Sequence, residues 1–462
     1  MYIVIIPVVF LICVCAIKKI PFIGGKVPIA FLGTGILAFL LGGIFNPVVW
    51  LGSWLTGFDR LAFIVWIIIF GSFFSTLQVA SGAMNTVMDV LKALLGHTAQ
   101  GLVLAVLIGL YIAGGFMGTV IAAAAIVGIL TVPVLDKLGV PPTMICAILA
   151  TGASMGAIAP PISNAVFVAT GVLGVELAPV LQLAFITVGI GLVYTSFFVC
   201  KVFIGKKYSM PKELITNEKA GEILKRGWKT LIPVTVLMTV VVLNSIPAIS
   251  FNLPRWLLSL IPIGDSNLFA VLSPIPIIGG LTNNIVGALA IGIVVSYITM
   301  PSLLKASGEK ITKSLKSVKL PVSIQVSAGL FLGAFMVAGQ IDAVSVWAEQ
   351  LSGVLLKVGG SFAYLLAGML LGAQSTTQNL LAPILGQAWI AAGVSPVNVA
   401  IASSHLAAAA QCMPPVAVNT FAVAGLVSGI LGKPVDPVKS MIYTTFSYAI
   451  YLAAVGMLFL FI

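Results

Sequence analysis

Two proline pairs stand in apolar surroundings, Pro160-Pro161 after the string TGASMGAIA and Pro414-Pro415 after AAAAQCM. A proline has no N–H to donate and its ring clashes with the preceding turn, so each pair must interrupt a helix and free nearby carbonyls. The end of the first half-helix then presents carbonyl oxygens to a cation, and the start of the second presents N–H groups to an anion. Hard-oxygen groups gather at both breaks: Ser154, Gly156, Ser163 and Asn164 at the first, Gln411, Asn419 and Thr420 at the second. A cation such as Na⁺ takes several oxygen ligands, and these seven residues are its expected site. A third polar string, GAQSTTQN from Gly372 to Asn379, interrupts another apolar run, and Gly118-Thr119 lies at the small-residue centre of a fourth. An anion at that depth has no Lys or Arg to meet it, so backbone N–H groups and neutral side chains must serve. Gly118, Thr119, Gln374, Ser375, Thr376 and Asn379 are the expected substrate contacts. The plainer reading of any one of these polar residues is that it bonds its own backbone; their clustering at both breaks and at the hairpin string weakens it.

Other chemistries find little to stand on. A buried catalytic pair or proton relay needs Asp, Glu or His at depth, and only His97 and His405 are candidates. His97 falls at a basic loop, whereas His405 follows Ser403 and Ser404 in the second broken helix, as a packed imidazole or a site residue. The five cysteines show no metal-ligand spacing and read as core packing. No phosphate-binding glycine loop is present. The chain therefore reads as a non-enzyme without cofactor, with Na⁺ as the expected coupling ion, and its formal charge of +11 points to membrane orientation, with no nucleic-acid partner.

What must position these groups is a set of membrane helices. Hydrophobic residues make up 60% of the 462, charged residues 8%, and mean hydropathy is +1.19, so the solvent is the lipid bilayer. Apolar runs long enough to cross a hydrocarbon core of about 30 Å recur from end to end. The whole chain, residues 1–462, reads as a single multi-pass domain of the inner or plasma membrane, its first run a retained anchor ending at Lys18 and Lys19. Of the 23 Lys and Arg residues, all but Arg60, Arg255 and Lys357 lie in a few loops, above all 201–229 and 305–319. The positive-inside rule makes those loops cytoplasmic and both termini external. Two loops on one side need an even number of crossings between them, so the apolar stretch 100–133, bounded by Lys92 and Lys137, must enter and return. The stretch 359–394 does the same from the other face. Residues 82–97 read as an interfacial connecting helix.

A shift of 254 positions aligns Gly118 with Gly372, Pro142 with Pro396, Pro160-Pro161 with Pro414-Pro415 and Phe167 with Phe421, without a gap. The expected architecture is therefore an all-α polytopic membrane protein built as an inverted repeat, with two re-entrant hairpins and two Pro-Pro broken helices. The first repeat, 27–200, holds hairpin 100–133 and broken helix 141–172. Residues 201–267 form a cytoplasmic loop and connecting helix. The second repeat, 268–462, holds hairpin 359–394 and broken helix 396–431. Long helices are expected near 27–43, 61–79, 178–200, 268–299 and 320–339, and from Met441 onward.

The strings LLGHTAQGLVLAVLIGLYIAGGFMGTVIAAAAIVGILTVPVL, GASMGAIAPPISNAVFVATGV, APILGQAWIAAGVSPVNVA and CMPPVAVNTFAVAGL resemble the large membrane subunit of tripartite ATP-independent periplasmic (TRAP) transporters, the dicarboxylate-permease type of the ion transporter superfamily. That resemblance implies an elevator-type fold with a frame and a mobile body, Na⁺ beside the hairpins, and a small organic acid such as a dicarboxylate as substrate. It also implies two partners, a small membrane subunit and a periplasmic or lipoprotein substrate-binding protein. The chain departs from the family pattern at Ile162, which precedes Ser163, and in having no acidic residue near Ala373 or Gln374 or just before Pro414. The competing expectation is a stand-alone, proton-coupled permease of the lactate or gluconate type from the same superfamily.

Overall fold

The computed structural model describes residues 2–17, 19–246, 252–351 and 353–462; Lys18 of the first basic loop lies outside them. Nearly all regular structure is helical, as lipid requires, because only a helix or a closed barrel satisfies every backbone polar group from within. One two-stranded antiparallel hairpin pairs Pro262–Ile263 with Ser266–Asn267. Eight helices among the described residues are long and apolar enough to span a membrane.

The longest two, Pro47–Ala80 and Ser307–Val337, run along one another and are flanked by Val27–Leu41 and Asn284–Thr299. Apolar side chains gain little from one another in a bilayer that is itself apolar, so close backbone approach holds this frame together. A Cβ on Gly57 would stand 2.2 Å from the carbonyl oxygen of Gly329, a distance no side chain tolerates. Trp54 Nε1 donates to the Val326 carbonyl at 3.0 Å across the same seam.

The helix expected at 61–79 starts earlier, because Asn46 caps the N–H of Val48 and Pro47 occupies the first turn. The single helix expected at 268–299 is replaced by a short helix, Leu268–Leu272, a turn, and Asn284–Thr299. Pro274 and Pro276 stop the first piece, and Ile277 takes a left-handed φ of +67°. Its N–H donates to the Asp59 carboxylate at 2.6 Å, and its carbonyl accepts from Trp66 Nε1 at 2.9 Å. The last helix opens at Pro437, where Asp436 caps the N–H of Lys439. The segment expected to lie at the interface forms the helix Ala83–Leu95.

Against the frame lies a second assembly. Ala99–Met117 and Val120–Lys137 form one helical hairpin, and Gly353–Leu371 with Gln374–Leu381 form the other. The helix Pro142–Ile158 is broken from Asn164–Leu173, and Pro396–Ala410 from Val418–Leu431. Both proline pairs carry a cis peptide bond. Each hairpin packs against the first half of one broken helix and the second half of the other. The four elements therefore interlock, and their interruptions meet in the middle.

Candidate functional site

Each hairpin turns on a left-handed glycine that no other residue replaces without strain, Gly118 at φ +62° and Gly372 at φ +66°. Each tip is stitched to a break by a main-chain hydrogen bond. Ile162 N donates to the Gly115 carbonyl at 3.1 Å, and Val418 N donates to the Gly372 carbonyl at 3.3 Å. At the first tip Asn164 Nδ2 donates to the Gly118 carbonyl at 2.8 Å. That bond leaves Asn164 Oδ1 buried without a partner. At the second, three amides form a chain: Asn419 Nδ2 donates to Gln411 Oε1, and Gln411 Nε2 donates to Gln374 Oε1, each at 2.9 Å. Beside it Thr420 Oγ1 is buried with no hydrogen-bond partner.

Between the two tips lies a cavity of about 250 Å³, small beside the roughly 300–1,000 Å³ of drug-sized pockets. Its polar wall consists of Gly118, Thr119, Gln374, Ser375, Asn164, Gln411 and Asn419. Ile64, Ile68, Leu320, Pro321 and Ile324 of the frame face them, with Gln325 as the polar exception. No Lys, Arg, Asp or Glu lines the cavity, and among the described residues no three His, Cys, Asp or Glu side chains converge as a metal site. Any ion or anion held there meets neutral dipoles.

The other residues singled out from the sequence occupy distinct places. Ser163 Oγ accepts the N–H of Val166 as the cap of its half-helix. The Gly156 carbonyl accepts the N–H of Ala159 at 2.9 Å. Ser154 ties the two breaks together, its Oγ accepting from Cys412 Sγ at 3.1 Å and its carbonyl from the Tyr448 hydroxyl at 3.3 Å. Thr376 and Asn379 stand behind the cavity lining: Thr376 Oγ1 is buried without a partner, and Asn379 Nδ2 donates to Gln325 Oε1 at 3.3 Å. His405 is fully buried away from the cavity. Its Nδ1 faces the Ile401 carbonyl and its Nε2 faces Thr187 Oγ1, each at 2.9 Å, linking the second broken helix to Leu177–Phe198. His97 is exposed just beyond the end of the helix Ala83–Leu95.

Sequence reasoning missed Gln325, and Gln378, whose Nε2 donates to the Ala165 carbonyl at 2.7 Å. Each had a signal. Gln325 is a lone amide in the apolar run PVSIQVSAGLF, and polar groups at membrane depth are costly enough to mark function.

Paired hairpin tips and paired helix breaks thus enclose a small, partly polar cavity in a helical membrane protein. Residues 11–462 match the family described as tripartite ATP-independent periplasmic transporter, DctM component, and the chain belongs to that family as its large, multi-pass membrane permease subunit. In this family the large subunit works with a small membrane subunit and a substrate-binding protein. No curated protein matches the chain. Among solved structures, the YdaH transporter of Alcanivorax borkumensis is similar with a TM-score of 0.59 and 14% identity, over 89% of this chain and 86% of that one. Neisseria gonorrhoeae MtrF, described within a class of antimetabolite efflux pumps, is similar with a TM-score of 0.62 and 14% identity, over 98% of both chains. At such identities the likeness is one of fold.

Proposed function

We propose that this permease takes up a small organic acid, such as a dicarboxylate, together with Na⁺. The observation that carries the reading is the cavity where both tips and both breaks meet, with uncharged polar groups on one wall and buried oxygens without partners beside it. The substrate would lie between the tips, against Gly118, Thr119, Gln374 and Ser375, with Thr376 and Asn379 supporting the second tip from behind. Na⁺ would sit beside each break, near Asn164 and Ser163 at the first and near Gln411, Asn419 and Thr420 at the second. Ser154 and Gly156 would hold the frame of both sites. Unpartnered buried oxygens are costly, and a cation relieves that cost.

The two interlocked hairpins and broken helices form, in this reading, an inverted repeat whose hairpins are re-entrant from opposite faces. They would move as one body past the frame of long helices, an elevator motion that exposes the cavity to each side in turn. The family match over residues 11–462 favours the tripartite system over a stand-alone, proton-coupled permease. So does the cavity, because no ionisable side chain lines it.

Reconstitution tests this. Proteoliposomes holding the chain with a small membrane subunit and a substrate-binding protein of the same operon are given a panel of labelled C3 to C6 mono- and dicarboxylates. Uptake of at least one acid should appear with all three proteins and fall to background when the binding protein is left out. Equal uptake by the large subunit alone would favour the stand-alone permease.

A further inference from the structure

Gln325 belongs to neither hairpin nor broken helix. It sits on Ser307–Val337, four residues beyond Pro321, where the frame meets the cavity. The rest of that wall is apolar, so this amide is its one polar side chain. Gln325 is 2% exposed, as is Asn379, whose Nδ2 donates to it. Asn379 Oδ1 has no partner of its own, so this bond is the hydrogen bond its side chain makes to the frame. Two buried amides thus meet across the boundary between the frame and the second hairpin.

We propose that Gln325 is a positioning residue for the transport step. By accepting from Asn379 it seats the tip that carries Gln374 and Ser375 against the frame in this conformation, and the bond must break for the hairpin body to move. The proposal rests on the two-body reading above. Removing only the acceptor strands a buried N–H and disfavours this conformation, whereas removing both partners is close to neutral. The two residues should therefore be coupled in the balance between conformations.

Spin labels at Lys305→Cys on the frame and Lys433→Cys on the moving body, in a chain whose partly exposed Cys13 and Cys15 are replaced and whose buried cysteines are kept, report that balance as populations of two distances. Gln325→Met and Asn379→Leu should each shift the ratio about tenfold. The double variant Gln325→Met/Asn379→Leu should return to within about threefold of the parent. Gln325→Leu serves as a second acceptor-free variant if Gln325→Met accumulates poorly. Two distances whose ratio the single variants leave unchanged, or shifts that simply add in the double variant, would overturn the role of Gln325 alone. One fixed distance in the parent chain, whatever the Na⁺ and substrate, would overturn the two-body reading and this proposal with it.

Discussion

Gln374→Leu is expected to weaken the apparent affinity for substrate about ten- to a hundredfold while folded permease still reaches the membrane in near-normal amount. Gln374 lines the cavity at the second tip, and its Oε1 is already taken by Gln411 Nε2. In the proposed complex its own Nε2 faces the anion. A hydrogen bond to a charged group contributes on the order of 1.5–3 kcal/mol, which converts to that range of affinity. Leucine nearly matches glutamine in volume, so the tip should keep its packing, and the loss of the acceptor for Gln411 Nε2, about 1–3 kcal/mol, is a cost the folded chain should bear. The competing account is that the polar string from Gln374 to Asn379 merely satisfies its own backbone. In that case the variant lowers folded yield and leaves the affinity of the surviving permease unchanged. Uptake against substrate concentration, normalised to folded protein, separates the two.

Asn419→Leu is expected to raise the Na⁺ concentration for half-maximal uptake by about tenfold or more. The substitution removes one side-chain oxygen beside the second break and frees Gln411 Oε1, which now accepts from Asn419 Nδ2 at 2.9 Å. Two candidate ligands are disturbed at once. The loss of one dipole to a charged partner is of the same order as a hydrogen bond to a charged group, about 1.5–3 kcal/mol. Substrate affinity at saturating Na⁺ should change much less. Unchanged Na⁺ dependence in a correctly folded Asn419→Leu chain removes this residue from the ion site.

The helix breaks were legible in the sequence because proline acts locally: Pro160-Pro161 and Pro414-Pro415 dictate an interruption whatever surrounds them. The tips were legible for a related reason, since Gly118 and Gly372 stand where a turn needs a left-handed residue. Side-chain partnerships are a different matter. Nothing in the order of residues says that Ser154 receives the Cys412 thiol or that Asn379 turns toward Gln325 rather than toward the cavity. Those contacts depend on how distant helices are rotated about their own axes. Gln325 went unremarked because it lies in neither hairpin nor broken helix, and the offset of 254 that relates the two tips sets it against Gly71, which has no side chain to draw attention to the position. The helix expected at 268–299 failed for a local reason that hydropathy hides: Pro274 and Pro276 are apolar residues that nevertheless end a helix.

Coupling of organic-acid uptake to Na⁺ through neutral oxygens is what separates this permease from a proton-coupled one. Its most direct test imposes the two gradients one at a time on proteoliposomes holding the complete transporter and its labelled acid. An inward Na⁺ gradient at equal pH on both sides should drive accumulation above equilibrium, and an inward proton gradient without Na⁺ should not. Accumulation driven by the proton gradient alone would contradict the account.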